Sequence, residues 1–174
     1  MRRTALLLFP AIILTACSNA SERDRTALAA AGQIQQNAPV KADVQISINA
    51  SPDKVWSILT NINNWPRWQT AISAAQVHGP LAPGTAFTWS AGKMRVESQL
   101  ALVKPVQQIA WTGTAMKAHA IHVWTLEALP TGGTLVKTTE SMDGFLLAVL
   151  YTSQDLAESD QLWLANLKRE AEKP

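Results

Sequence analysis

Residues 118–142 read AHAIHVWTLEALPTGGTLVKTTESM. His122, Trp124 and Leu126 recur at every second position with Thr125 and Glu127 between them, the two-residue period of a half-buried strand. Pro130–Gly133 has turn chemistry, and beyond it Val136, Thr138 and Glu140 alternate with Lys137 and Thr139. Two strands, 118–129 and 133–142, joined in this way form an antiparallel hairpin. If Ala128 lies opposite Thr134, then Leu126 faces Val136, Trp124 faces Thr138 and His122 faces Glu140. A slip of one residue would set Leu126 against Lys137 and carry a lysine into the core, so that register is rejected. Directly opposed Cβ atoms stand about 4.5–5.5 Å apart. His122 and Glu140 are therefore expected to touch on an otherwise apolar face.

The same period runs upstream. Strands are expected at 75–79, 85–91, 93–103 and 107–114, punctuated by Gly79-Pro80, Pro83-Gly84, Ala91-Gly92 and Pro105. Short consecutive strands with tight turns make an antiparallel meander. Alternation puts Phe87 and Trp89 inward, then Val96, Ser98, Leu100 and Leu102, then Ile109 and Trp111, so Trp89, Trp111 and Trp124 share one face. Before the meander, Asp43–Ala50 alternates as a further strand. Ser51-Pro52 opens a helix, with serine as cap and proline at the first helical position. A second short helical piece follows Trp65-Pro66 and runs through Trp68 and Ile72. After Gly144, Leu146, Val149, Leu150, Leu156, Trp163, Leu164 and Leu167 fall broadly at three- and four-residue steps. That helix of about 27 residues would be roughly 40 Å long. Asp160 falls near its apolar stripe and reads as a solvated edge position.

One strand, two short helices, six strands and a long C-terminal helix resembles the helix-grip layout of the START-like (SRPBCC) superfamily, in its polyketide cyclase/dehydrase and lipid-transport branch. The supporting residues are Ser51–Trp56, Asn64–Trp68, Gly84–Trp89, Ile109–Gly113, His122–Trp124, Gly133-Thr134, Glu140-Ser141, Trp163-Leu164 and Leu167-Lys168, in that order over about 43–172. The resemblance implies an α+β fold: a curved seven-stranded antiparallel sheet wrapped around the long helix, with an apolar cavity between them. It implies a small hydrophobic ligand, lipid-like, polyketide-like or aromatic. No catalytic residue carries over, since the superfamily has no universal catalytic motif.

On this layout Phe87, Trp89, Trp111, His122, Trp124, Thr138 and Glu140 are the candidate ligand-binding residues, with Trp65 and Trp68 capping the core near the cavity mouth. Each has a plainer reading. A tryptophan is as readily core as pocket lining. His122 with Glu140 is a buried pair in which imidazolium would compensate the carboxylate, or an acid–base couple for aldol cyclisation or dehydration. Metal ligation is not expected: on a strand His119 and His122 point to opposite faces, and His78 is the one remaining histidine. No glycine-rich phosphate loop or G-x-S-x-G elbow appears, and no cofactor is expected. The candidate functions are a non-covalent binder, a cyclase or dehydratase using His122 and Glu140, and a structural lipoprotein with a filled core.

The chain has 174 residues, 47% hydrophobic and 16% charged, with a formal charge of +2. That composition is globular. Without residues 1–16, thirteen basic residues face thirteen acidic ones, so no basic stripe invites nucleic acid. Residues 1–17, MRRTALLLFPAIILTAC, have the basic start and apolar stretch of a secretory signal. Leu14-Thr15-Ala16-Cys17 resembles a bacterial lipobox, which implies cleavage before Cys17 and a diacylglycerol on its thiol. An ordinary signal cut after Ala20 is the alternative. Ser18 after the cysteine favours the outer membrane in a Gram-negative host, with the domain facing the periplasm. Residues 17–41 read as the lipidated cysteine and a flexible tether of roughly 25–30 Å reach, leaving one domain over 42–174.

Overall fold

Seven strands form one open antiparallel sheet: β1 (Val40–Ile48), β2 (Ile72–Val77), β3 (Ala86–Ala91), β4 (Met94–Lys104), β5 (Gln108–Ala115), β6 (Ala118–Ala128) and β7 (Thr134–Gly144). Their order across the sheet is β1-β7-β6-β5-β4-β3-β2. The computed structural model describes residues 22–130, 132–144 and 151–174. The expected signal segment, Cys17 and the residues Leu146, Val149 and Leu150 expected in the long helix lie outside the described residues. The central hairpin has the expected register, with Ala128 opposite Thr134, Trp124 opposite Thr138 and His122 opposite Glu140. Sequence order is broken once, where β1 pairs with β7 through Val44 opposite Thr138 and Ile46 opposite Val136.

The two short helices lie between β1 and β2. Helix α2 (Pro52–Thr60) starts where Ser51 accepts a hydrogen bond from the Lys54 N–H, and it buries Val55, Trp56 and Leu59. Helix α3 (Trp65–Trp68) is a single turn, and Ile72 already belongs to β2 rather than to a helix running through it. The long helix α4 (Ser153–Ala171) opens with a reciprocal cap, in which the Asp155 N–H donates to Thr152 and the Thr152 N–H donates to Asp155. Its inward side carries Leu156, Asp160, Trp163, Leu164, Leu167 and Ala171. The steps of three and four between them are those of one helix face.

Helix α4 lies on the inner face of the sheet and is tied there by polar contacts as well as apolar ones. Asn166 donates to Gln69 Oε1 at 2.7 Å, and both residues are buried. Arg169 donates to the Trp68 carbonyl at 3.2 Å and Lys168 to the Ser47 carbonyl at 2.7 Å.

Alternation fails within β4. A bulge between Leu100 and Leu102 inserts Ala101, and the extra residue flips the faces beyond it. Leu102 consequently packs on the outer side with Ala110, and Val103 takes the inward place opposite Ile109.

Residues 22–38, expected as part of a tether, are folded onto that outer side. Residues 22–30 form helix α1. Ala29 is fully buried against Ala110, Ile121 and Val123, with Leu28 and Ile34 beside it. The turn after α1 passes through Gly32 at φ +69°, where a Cβ would come within 2.7 Å of Gln108. The strap continues with the Gln35 N–H donating to Ser141 Oγ at 3.1 Å, while Arg25 pairs with Asp143 at 3.4 Å. Small side chains are the physical reason: an alanine-rich helix face shows little periodic hydrophobicity, yet it lets a helix approach a sheet closely.

Candidate functional site

The inner face of the sheet, against α4, is lined by packed aromatic rings. Trp124 on β6 stacks on Trp111 of β5 at 6.4 Å between centroids and on the His122 ring at 5.2 Å. Phe87 and Trp89 of β3 extend this lining, as alternation predicted. Phe87 and Trp124 are fully buried, and Trp89 donates its indole N–H to Ser98 Oγ at 3.1 Å.

Trp65 is placed differently from expectation. Trp65 is buried at the centre rather than at a rim, 5.7 Å from Phe87, 5.8 Å from Trp111 and 5.1 Å from Trp163. Its indole N–H donates to the Leu59 carbonyl at 2.8 Å, which locks the ring to the end of α2. Trp68 is likewise buried and meets Trp163 edge-on at 5.7 Å. Edge-to-face contact is a favoured geometry for such rings.

At the β6–β7 end of this lining stands one polar cluster. His122 Nδ1 lies 3.3 Å from Glu140 Oε2, and His122 Nε2 lies 2.7 Å from Thr138 Oγ1. Helix α4 adds Asp160, whose Oδ1 is 3.8 Å from His122 Nε2. Asp160 is 1% exposed, so the solvated edge position expected for it is corrected. A sequence signal for it did exist: it stands one helical turn after Leu156 and one before Trp163 and Leu164, on the buried stripe.

Burial sets the charge states. It pushes the His122 pKa down to about 3, leaving the imidazole neutral. Glu140 is raised well above the ordinary carboxyl range, first by burial and then by the neighbouring Asp160. Asp160 rises to about 7 through burial, partly offset by its hydrogen bond with Glu140. Burial thus works against the expected imidazolium–carboxylate pair, because a charged ring in this apolar setting loses its hydration. His122 Nε2 and Thr138 Oγ1 share a hydrogen bond at 2.7 Å.

Some buried polar atoms here find no hydrogen-bond partner, among them Trp124 Nε1, Trp68 Nε1 and Asp160 Oδ2. Buried polar groups are normally satisfied, and such exceptions call for an explanation. A third buried donor, Gln69 Nε2, is also unpartnered beside the Asn166 contact. Among the described residues, no helix is long and apolar enough to cross a membrane.

Comparison with known proteins agrees with this architecture. A hypothetical protein from Helicobacter pylori superposes with a TM-score of 0.66 at 19% identity, over 76% of this chain and 86% of that one. The Zhui aromatase/cyclase from a Streptomyces species superposes at 0.63 with 17% identity, over 76% and 93%. A START superfamily protein from Mycobacterium smegmatis superposes at 0.62 with 14% identity, over 76% and 97%. Likeness at such identities is a likeness of fold, here the START-type helix grip. No curated protein matches the chain in sequence. The family described as polyketide cyclase / dehydrase and lipid transport does match, over residues 39–172, which takes in the whole sheet and α4. With its aromatic inner face covered by a C-terminal helix and matched over that length, the chain belongs to the polyketide cyclase/dehydrase and lipid-transport family.

Proposed function

We propose that the protein binds a small, largely apolar molecule carrying one polar group, between the sheet and α4, without covalent chemistry. The observation behind this reading is the pairing of an aromatic lining with unsatisfied polar atoms: Trp124 Nε1 offers a donor, and Asp160 Oδ2 an acceptor. A hydroxyl or carbonyl on a lipid-like, polyketide-like or aromatic ligand would satisfy them, while Phe87, Trp89, Trp111 and Trp124 take its apolar body. His122, Thr138 and Glu140 would orient the polar end. The protein would work at the cell envelope, tethered through a lipid on Cys17 and facing the periplasm, as the basic start, apolar stretch and lipobox-like Leu14–Cys17 suggest.

Native mass spectrometry of the purified full chain, followed by extraction of the co-purifying molecule, tests the binding. An apolar species retained at one per chain, whose removal changes tryptophan emission, supports it. A ligand-free chain whose emission ignores added hydrophobic molecules would leave the domain a purely structural one. The anchor is tested separately: acyl mass on Cys17 and detergent partitioning, both lost in Cys17→Ser, against an unacylated N-terminus at Ser21.

A second reading rests on the contact of His122 with Glu140 at 3.3 Å. A cyclase or dehydratase would use such a pair, with His122 accepting a proton next to a carbonyl and Glu140 donating one to the departing or enolising oxygen. Loss of turnover in His122→Gln with ligand binding retained would distinguish this from binding alone.

A further inference from the structure

From the convergence of His122, Glu140 and Asp160 we infer a binding site for one divalent cation of the first transition row, of the zinc, iron(II) or manganese(II) class. One ligand atom from each of the three residues lies within 4.8 Å of the others. They come from three different elements, β6, β7 and α4, so the site is a tertiary one that exists only when the helix is docked. This inference stands on those three side chains and not on any organic ligand.

The geometry needs little adjustment. Ligand atoms about 2.0–2.2 Å from a tetrahedral ion are roughly 3.3–3.6 Å apart. His122 Nδ1 and Glu140 Oε2 already stand at 3.3 Å, and Asp160 reaches the ring with Oδ1 3.8 Å from Nε2 and an unpartnered Oδ2. The two acids flank the ring, Glu140 at Nδ1 and Asp160 at Nε2, and a ring that donates Nε2–H to Thr138 Oγ1 at 2.7 Å would leave Nδ1 to the ion. A metal-binding imidazole commonly has its other nitrogen held in this manner.

Charge supports the same conclusion. Both acids lie against His122, Glu140 at 3.3 Å and Asp160 at 3.8 Å. A divalent ion carries the two positive charges that two ionised carboxylates require. One imidazole with two carboxylates is an N/O donor set suited to zinc, iron(II) or manganese(II) and unsuited to soft copper(I). The protein atoms supply three ligands, leaving a position for water or an oxygen of a bound molecule.

The test is titration of the chelator-treated full chain with Zn2+ and, as a spectroscopic probe, Co2+. One equivalent should bind, and the melting temperature should rise by roughly 5–10 °C at a hundredfold excess over the dissociation constant. Binding should weaken at least tenfold in Asp160→Asn and in Glu140→Gln. It should persist in His119→Gln and in Cys17→Ser, which remove the outer-face histidine and the thiol. Anomalous scattering from metal-soaked wild-type crystals gives a readout independent of how the variants fold, with a peak expected between the three side chains. Absence of stoichiometric binding to Zn2+, Co2+, Fe2+ and Mn2+, unchanged affinity in both carboxyl variants, or a peak elsewhere would overturn the inference.

Discussion

At the scale of single residues, His122 acts as a neutral polar joint. It bridges Thr138 and Glu140 across two strands, and its ring lies against both Trp111 and Trp124, at 4.9 and 5.2 Å. Because no charge is lost, His122→Gln in chelator-containing buffer should cost less stability than His122→Phe. The phenylalanine fills the space but orphans Thr138 and Glu140, at about 1–3 kcal/mol for each buried group left unpaired. Urea denaturation of the two variants measures the difference. Trp124 should behave as a packing anchor. Trp124→Ala should cost about 3–5 kcal/mol, and Trp124→Phe less, since it keeps an aromatic face on His122. If Trp124→Phe melts like Trp124→Ala, the stacking described here is not what holds the ring.

At the scale of elements, α4 depends on its first turn. Asp155 accepts from the Thr152 hydroxyl and backbone N–H at 2.7 and 2.8 Å, and these bonds hold its pKa below the ordinary aspartate value. A depressed carboxyl stabilises the fold above its unfolded pKa, about 3.9, and that stabilisation is lost as pH falls through the folded value. Asp155→Asn should therefore lower the melting temperature at pH 7 and have little effect near pH 2.5. The β5–β6 turn predicts the opposite sign: Met116 and Lys117 have φ +47° and +68°, a conformation costing side-chain-bearing residues roughly 1–2 kcal/mol. Met116→Asn with Lys117→Gly, suited to a two-residue turn of this kind, should raise thermal stability by about 1 kcal/mol. The central hairpin was legible in sequence because one lysine, Lys137, forbids the neighbouring register. Leu102 was misread because a single inserted residue, Ala101, resets the alternation and leaves no compositional trace. Asp160 was misread because its partners lie on β6 and β7, and a helical stripe alone does not say what it will face. Trp65 was placed at a rim because only tertiary packing draws it over Phe87.

At the scale of the whole molecule, the sheet is covered on both sides, by α4 within and by residues 22–38 without. Deleting 22–38 should uncover Ala110, Ile121 and Val123, which are nearly inaccessible at present. The truncated chain is expected to melt at lower temperature and to aggregate, as light scattering during a melt would record; an unchanged, monodisperse melt would show the strap to be dispensable. The strap also changes the mechanics of any lipid anchor on Cys17. Four residues, 18–21, separate that cysteine from Glu22, and fully extended they span at most about 18 Å. The leash is thus shorter than a free run to β1, and it emerges from the back of the sheet. An anchored molecule would stand with its strapped side toward its own bilayer and its helix-closed side away from it. Exchange of cargo would then occur with whatever approaches from the opposite side, a facing membrane or a soluble donor, rather than with the lipid beneath its mooring.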